Sequence, residues 1–240
     1  MKLSVIIPAY NEEKRLPKTL NEIFQYLSKQ NYSFEIIVVN DGSKDNTAKI
    51  VKEAMERIPN LRLIDNKINQ GKGAVVRQGM LEAKGEFRLF TDADNSTPIS
   101  EIEKFWKEFD FGADVVVGSR EIKGAILDPP QPLFRRFLGE CFKILRKIIV
   151  GLWEIQDTQC GFKCFKKEVV EKIFPKCKIN RFAFDPEILI LAKKAGYKIK
   201  EVPIYWKNDL DSKVKLKSVF KMALDLFKIR LNLIFGEYEQ

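Results

Sequence analysis

The 240-residue chain has no histidine, and its four cysteines, at positions 141, 160, 164 and 177, form no C-x-x-C pair. Structural zinc sites are built from cysteine and histidine at short, fixed spacings, so these absences argue against such a site. Reduced thiols in a cytoplasmic compartment are the expectation for the cysteines. Because histidine is missing, any general base must be a carboxylate, a lysine, a tyrosine or a thiolate.

Long apolar runs are missing as well. Nowhere do about 18 uncharged apolar residues follow one another, which is the length that a membrane span requires. The apolar part of the N-terminus, residues 3–7, is too short for a signal peptide and predicts a first strand instead. The sequence therefore predicts a chain that is not secreted and does not cross a bilayer by itself.

The composition favours a folded domain with an anionic partner. Apolar residues make up 45% of the chain, which is enough for a sizeable core. The net charge of +9, from 42 basic and 33 acidic residues, suits a nucleotide, a phospholipid headgroup or a nucleic acid. Nucleic acid ranks low, because the basic residues lack the regular aromatic interleaving of a single-strand groove.

Short β-branched runs alternate with helical patterns up to about residue 120. We expect strands at 3–7, 34–39, 61–64, 87–90 and 114–117, with amphipathic helices between them. This alternation predicts an α/β fold with a mostly parallel sheet and helices on both faces, in which ligands bind beyond the carboxyl ends of the strands. Polar clusters follow the strands at 9–12, 40–43, 69–72 and 92–94.

The second part of the chain, about 121–240, is less regular. It contains a basic apolar stretch at 133–153, a predicted loop at 157–162, a helical run at 186–195 and a predicted strand at 200–206. The tail, 215–240, predicts a basic amphipathic helix. Such a helix lies on an anionic membrane, binds a partner or packs against its own domain, and the sequence leaves these alternatives open.

Asp92 and Asp94 follow the apolar strand at 87–90, and Asn95 to Pro98 supply a turn. If the backbone turns there, both carboxylates can serve one hard divalent cation, which would then take substrate phosphate oxygens. The alternative is a solvated acidic loop that caps the helix beginning near Pro98. The residues alone do not separate the two interpretations.

Other loops carry weaker signals. Asp41 follows a buried strand, where a carboxylate can bind a base or a sugar, although a tight turn with a helix cap is the alternative. Tyr10 and Glu12 lie in the neighbouring loop. Gly71-Lys72-Gly73 suits an anion or a simple helix start, and Val76 stands where a Rossmann fingerprint would need its third glycine.

The second half contributes cations and carboxylates. Arg120 ends a predicted strand, and Arg135 and Arg136 lie among apolar residues, which suits a lipid phosphate or an ordinary helix with its arginines in water. Asp157 and Asp185 could orient an acceptor or act as a base. Asp185 precedes a proline, so a helix N-cap is its alternative role.

Taken together, the motifs resemble the family 2 glycosyltransferases with the GT-A fold. The resemblance rests on Pro8-Ala9-Tyr10-Asn11-Glu12, Asn40-Asp41-Gly42-Ser43, Asn69-Gln70-Gly71-Lys72-Gly73 and Asp92-Ala93-Asp94, in this order. Motifs at 118–120, 157–163, 184–187, 201–203 and 212–213 extend it to the dolichyl-phosphate hexosyltransferase branch. It implies a GT-A domain over residues 1–214, with a nucleotide-sugar half at 1–120 and an acceptor half at 121–214, followed by the helix at 215–240.

The resemblance also implies roles for individual residues. The nucleotide sugar would be held by Pro8, Tyr10, Glu12, Asp41, Lys72, Asp92, Ala93 and Lys213. Mg²⁺ or Mn²⁺ would be bound by Asp92 and Asp94, and the acceptor phosphate by Arg120, Arg135 and Arg136. The catalytic group would comprise Asp94, Arg120, Asp157 and Asp185.

The mannosyl branch commonly places a glutamine two residues after the second aspartate, where this chain has Ser96. The stretches 92–98 and 157–163 look closer to the glucosyl branch, which favours UDP-glucose over GDP-mannose. The Q-x-x-R-W motif of processive synthases is missing. We therefore expect inverting transfer of glucose or mannose to dolichyl or polyprenyl phosphate.

This reading places the chain in the cytoplasm, at the inner face of a membrane and with a membrane-embedded protein as a further partner. A soluble glycan hydroxyl as acceptor, with Asp185 or Asp157 as base, is the alternative activity. A non-catalytic nucleotide or nucleic-acid binding module, suggested only by the charge, is the alternative of another class.

Overall fold

A computed structural model describes residues 1–129, 133–207 and 216–239. The strands are β1 Leu3–Ala9, β2 Phe34–Asp41, β3 Leu61–Asn66, β4 Phe87–Thr91, β5 Val115–Ser119, β6 Ile126–Asp128, β7 Phe162–Lys166, β8 Ile199–Pro203 and β9 Tyr205–Lys207. The helices are α1 Leu16–Leu27, α2 Thr47–Met55, α3 Lys72–Glu82, α4 Ile102–Asp110, α5 Leu133–Val150, α6 Lys167–Ile173, α7 Phe184–Lys194 and α8 Leu216–Ile234. Single 3₁₀ turns lie at Ile99–Glu101 and Phe174–Lys176.

Seven strands form one sheet in the order β3-β2-β1-β4-β7-β5-β8. The pairs of β1 with β2 and β4, of β2 with β3 and of β5 with β8 are parallel. Only β7 runs against its neighbours, β4 and β5. The predicted α/β fold with a mostly parallel sheet is confirmed, and this single sheet contains strands from both parts of the chain.

The central strands are buried on both faces, which explains their nearly continuous apolar sequences. In β1, Leu3, Val5 and Ile7 belong to the core beneath α1, α2 and α4, whereas Ile6 belongs to the core beneath α3, α5, α6, α7 and α8. Because side chains alternate along a strand, one run of residues supplies both cores. The helices on both faces therefore follow from the strand sequences.

Two expectations for the second part of the chain are wrong. The predicted strand at 200–206 is divided at Ile204, because β8 belongs to the large sheet whereas β9 pairs with β6 in a separate two-stranded sheet. The sequence also predicts a loop at 157–162 with no strand after it, whereas β7 begins at Phe162. This antiparallel strand brings the preceding loop to the carboxyl edge of β4.

The tail forms α8, which packs against α5 and its own core through Met222, Leu226 and Ile229. For the helix face that carries these three residues, the predicted alternative of packing against its own domain is confirmed. Among the residues that the structure describes, no helix combines the length and the apolar composition needed to cross a membrane.

Candidate active site

The loops after β1 and β2 and the loop before α3 are fastened together at the carboxyl edge of the sheet. The Asp41 carboxylate accepts the Gln70 and Gly71 backbone N–H groups at 2.6 and 3.0 Å and the Asn69 amide at 2.9 Å. Burial raises the pKa of Asp41, and the two backbone donors and then the charge of Arg181 oppose the rise. The predicted helix-cap alternative is wrong, because Asn46 occupies the N-cap of α2.

The loop after β1 is held in a similar way. The Glu12 backbone N–H donates to Thr47 Oγ1 at 2.8 Å, and its carboxylate accepts the Arg15 guanidinium at 2.7 Å. Tyr10 lies on the same loop and is 39% exposed, whereas Pro8 lies within β1 beside Val39. Convergence of the predicted loops at one edge is therefore confirmed.

The chain turns after β4 so that Asp92 and Asp94 lie side by side in one tight loop. Asn95 adopts a positive φ of 52°, and the Ser96 backbone N–H donates to Asp94 Oδ1 at 3.0 Å. The carbonyl of Ala93 accepts the Thr19 hydroxyl at 2.7 Å, which ties the turn to α1. Among the residues that the structure describes, no side chain caps the 3₁₀ turn that begins at Ile99, so the capping interpretation of this acidic loop is wrong.

The loop before β7 lies directly against Asp92. A Cβ atom on Gly161 would come within 2.0 Å of Asp92 Oδ2 and 2.4 Å of its Cγ. Only glycine allows the backbone to approach the carboxylate so closely. Gly161 therefore fixes where the Asp92 carboxylate can lie.

Two cations flank the carboxylate pair. Lys72 Nζ lies 2.5 Å from Asp92 Oδ1, and Arg15 Nη1 lies 3.9 Å from Asp94 Oδ2. Burial raises the pKa of Asp94, and the negative charge of Asp92 raises it further. For Lys72, burial acts to lower the pKa, but Asp92 and then Asp185 hold it above its usual value.

This set of donors fits a hard divalent cation in part. Two carboxylates that repel each other in a partly buried turn gain from a cation between them, and carboxylate oxygens are the ligands that Mg²⁺ and Mn²⁺ accept. In the described ranges, no group of three or more acidic, cysteine or histidine side chains could hold a metal ion. A cation at Asp92 and Asp94 would therefore complete its shell with substrate oxygens or water.

Asp185 lies behind this edge and pairs with Lys163. Lys163 Nζ, fully buried in β7, lies 2.5 Å from Asp185 Oδ1 and also donates to the Cys160 carbonyl. Burial raises the pKa of Asp185, opposed by Lys163 and then Lys72. The predicted N-cap alternative for Asp185 is wrong, because Ala183 is the N-cap of α7.

Arg120 and Asp157 form a bidentate pair. Arg120 Nε and Nη2 donate to the two carboxylate oxygens at 2.7 and 2.9 Å, and the Arg120 guanidinium stacks over Trp206 at 4.7 Å. Glu201 accepts the Asp157 backbone N–H at 2.9 Å, which steadies the loop. Against the opposing effect of burial, Arg120 lowers the pKa of Asp157 to about 2. Such a carboxylate is a weak base, so the geometry disfavours the base role predicted for Asp157.

For three predicted site residues, the structure does not describe the side chain. Lys213 lies outside the described residues. Arg135 and Arg136 lie in α5, where the description covers only the backbone of residues 133–138.

Sequence reasoning overlooked Arg15, Lys163 and the contact made by Gly161. Arg15 stands three residues after Glu12, a spacing that brings side chains together on a helical turn and could have revealed it. The other two depend on the antiparallel β7, for which the sequence offered no comparable signal.

A family model for "Glycosyl transferase family 2" matches residues 4–174, a range that contains the acidic turn, the loops at the carboxyl edge and β7. The chain belongs to glycosyltransferase family 2. The predicted family and the predicted class of enzyme are thus confirmed.

Curated relatives of this glycosyltransferase share the same printed function. A dolichyl-phosphate β-glucosyltransferase from Trichomonas vaginalis is 40% identical, with 96% of this chain and 75% of the relative covered. The proteins of that name from Dictyostelium discoideum and Homo sapiens are 38% and 34% identical, with 98% of this chain covered in both and 75% and 77% of the relatives.

Solved structures agree on the fold. Glucosyl-3-phosphoglycerate synthase from Mycobacterium tuberculosis, in complex with Mn²⁺, uridine diphosphate and glucosyl-3-phosphoglycerate, matches with a TM-score of 0.69 at 16% identity. The match covers 96% of this chain and 79% of that one. TarS from S. aureus, in complex with UDP-GlcNAc, matches with a TM-score of 0.58 at 20% identity, covering 97% and 67%. The predicted GT-A fold is confirmed.

Proposed function

We propose that this glycosyltransferase moves glucose from UDP-glucose to the phosphate of a dolichyl or other polyprenyl phosphate, with inversion at the anomeric carbon. The observation that carries the proposal is the 34–42% identity, over nearly the whole chain, to relatives named dolichyl-phosphate β-glucosyltransferase. The acidic turn with its two flanking cations supports it independently, because this arrangement suits a departing diphosphate.

We assign donor binding to the edge formed by the loops after β1, β2 and β4. Tyr10 and Glu12 on one side and the loop fastened to Asp41 on the other would hold the nucleoside. The pyrophosphate would lie against Asp92, Asp94 and Lys72. A divalent cation, Mg²⁺ or Mn²⁺, held by the two carboxylates would neutralise negative charge that develops on the leaving group.

The cations of the chain complement this site. Lys72 is bound to Asp92 and is the first residue of α3, so its ammonium would lie beside a pyrophosphate held at the two carboxylates. Arg15 bridges Glu12 and Asp94 and keeps the turn in place. These residues would orient the pyrophosphate before the reaction begins.

Transfer would proceed by direct displacement. A phosphate oxygen of the acceptor forms a bond to the anomeric carbon while the bond from that carbon to the diphosphate breaks, and the electron pair leaves with the nucleoside diphosphate. A phosphate acceptor is already ionised near neutral pH, so no proton has to be removed. A reaction that needs no base agrees with the environment of Asp157, because both oxygens of its carboxylate accept hydrogen bonds from Arg120.

We assign the acceptor side to residues 121–214, with Arg120, Arg135 and Arg136 as its phosphate contacts, and Lys213 to the nucleotide sugar. The Arg120 side chain lies at the start of this region, where it is held by the Asp157 carboxylate and the Trp206 ring. The lipid acceptor implies work at a membrane surface, and we propose that this surface is the cytoplasmic one.

The test is a transfer assay with purified protein, labelled UDP-glucose or GDP-mannose, Mg²⁺ or Mn²⁺, and dolichyl phosphate in detergent. We expect a lipid-linked glucose that depends on the metal and carries the β configuration by NMR. Parallel reactions replace dolichyl phosphate with a polyprenol or with soluble glycans. Product formed only with a hydroxyl acceptor, or from no common donor, would overturn the proposal.

A further inference from the structure

Helix α8 carries a second apolar face that the described residues of its own domain leave uncovered. Its first apolar face, Met222, Leu226 and Ile229, is buried against the core. The second face, which we call the α8 apolar row, has side chains that are each between 51% and 73% exposed. The row consists of Phe220, Leu224, Phe227, Leu231, Ile234 and Phe235.

The spacing of the row is helical. Its members follow one another at intervals of four, three, four and three residues from Phe220 to Ile234, so they form one continuous stripe. At 100° per residue, this stripe lies on the side of the helix opposite Leu226. It is about 21 Å long, because an α-helix rises 1.5 Å per residue.

Single exposed apolar residues are ordinary on protein surfaces, but a contiguous stripe of this length is not. Nothing in the fold requires it, because the buried face already anchors α8 through Leu226 and Ile229, which are fully buried. The stripe therefore marks a surface that something else covers.

The charges beside the row are positive. Lys221 and Lys228 are exposed and flank it on one side, and Arg230 is exposed on the other. Asp225, the sole acidic residue in the sequence of α8, is only partly exposed and lies toward the buried side. An apolar stripe flanked by cations is the pattern of a helix that lies in the headgroup region of an anionic membrane.

We propose that the α8 apolar row docks on an anionic lipid monolayer, with the helix axis parallel to the surface and Lys221 and Lys228 at the headgroups. The inference deepens the proposed function and rests on it, since that function takes its acceptor from a lipid phase. A second copy of the chain fits less well. In a face-to-face contact between two α8 helices, Lys221, Lys228 and Arg230 of each copy would outnumber Asp225, the acidic residue that lies within electrostatic reach of both lysines.

Helix α8 shares its core with α3 and α7, the helices that carry Lys72 and Asp185. Arg181 is within electrostatic reach of Asp225 on α8 and of Asp41 at the carboxyl edge of the sheet. The Tyr238 hydroxyl, just beyond α8, donates to Glu187 of α7 at 2.7 Å. A monolayer bound by α8 would therefore lie beside the same end of the molecule that takes the donor.

The experiment is vesicle flotation of the full chain, with phosphatidylcholine vesicles that contain or lack phosphatidylglycerol. We expect the double variant Phe227→Gln, Leu231→Gln to lose about tenfold or more of its partition, because two large apolar side chains no longer enter the lipid. Lys221→Gln and Lys228→Gln should each cost about fivefold on the anionic vesicles and little on the neutral ones. Phe111→Gln is the matched control, because Phe111 is 83% exposed at the turn after α4 and should leave flotation unchanged.

The outcomes separate this inference from the proposed function. If the docking surface is correct, the double variant melts like the wild type, fails to float and still glucosylates a short, water-soluble polyprenyl phosphate. Equal flotation of the double variant and the wild type, or no flotation of either, overturns the docking surface. A wild-type dimer that light scattering detects and the double variant lacks, without vesicle binding, assigns the row to a second copy instead. Flotation without transfer to any polyprenyl phosphate would refute the proposed function alone.

Discussion

Replacing Gly161 with alanine should impair catalysis while leaving the fold intact. The new Cβ atom would lie 2.0 Å from Asp92 Oδ2, and contacts under 3.0 Å force something to shift. The atoms it meets belong to a side chain rather than to a β-strand backbone, so the Asp92 carboxylate is the group that moves. Its ion pair with Lys72, now 2.5 Å, would be disturbed at the same time.

The expected size of the effect follows from that distance. To open the contact from 2.0 Å to an allowed separation, the carboxylate must retreat by about 1 Å, and a misplacement of about 1 Å in an active site can cost about a hundredfold in rate. The free energy of unfolding should change much less than the rate, because the Asp92 side chain lies at a partly exposed edge of the sheet and can rotate away. We therefore expect kcat/KM to fall about a hundredfold with a melting temperature close to that of the wild type.

The assay is glucose transfer from labelled UDP-glucose to dolichyl phosphate at several metal concentrations, alongside thermal melting with and without UDP. Gly139→Ala is the matched control, because a Cβ atom on Gly139 meets nothing within 4 Å. Undiminished kcat/KM and unchanged metal dependence in Gly161→Ala would refute the idea that Gly161 fixes Asp92. A large loss of melting temperature would show that the backbone, not the carboxylate, takes up the strain.

Three further predictions follow from the same geometry. Asp94→Asn should lower turnover at least a hundredfold with the melting temperature retained, and near-normal turnover in the transfer assay would remove Asp94 from the reaction. The pKa of Asp157 is lowered to about 2 by Arg120, so the pair contributes its full stability above about pH 4 and loses it as the pH falls toward 2. Urea titrations of the wild type should show the free energy of unfolding falling by about 2 kcal/mol as the pH is lowered from about 4 to 2, and Asp157→Asn should lack this fall. An equal dependence of the free energy of unfolding on pH in both proteins would contradict this. Tyr238→Phe removes the hydroxyl that donates to buried Glu187 and should cost about 1–2 kcal/mol in the free energy of unfolding, measured by urea denaturation; an unchanged midpoint would argue against the contact.

Much of the fold could be predicted because its signals are local. The apolar run at 34–39 shows that a strand is buried on both faces, and the helical period at Leu16, Leu20 and Ile23 shows a helix that covers it. Parallel strands place their carboxyl ends at one edge, so the convergence of the loops that carry Tyr10, Asp41 and Asp92 followed from the order of elements alone.

The site was predicted less completely because its partners are distant in the chain. Lys72 could be placed near a diphosphate, but not at Asp92, since that distance depends on how α3 sits against the sheet. The sequence predicts Asp157 and Asp185 as candidate bases, whereas in the structure Asp157 is paired with Arg120 and Asp185 with Lys163. An ion pair between elements cannot be read from either element by itself.

By itself, the sequence determined the family of this protein, the alternation of strands and helices and the acidic turn at Asp92 and Asp94, because each depends on neighbouring residues. Only the tertiary structure decided the place of β7. Lys163, the second of the five residues of β7, argues against a buried strand until Asp185 of α7 compensates its charge. Once that pair forms, β7 runs antiparallel between β4 and β5 and presses Gly161 against Asp92. The carboxylate at the centre of the site is thus positioned by a contact that spans 69 residues of sequence, which no local pattern records.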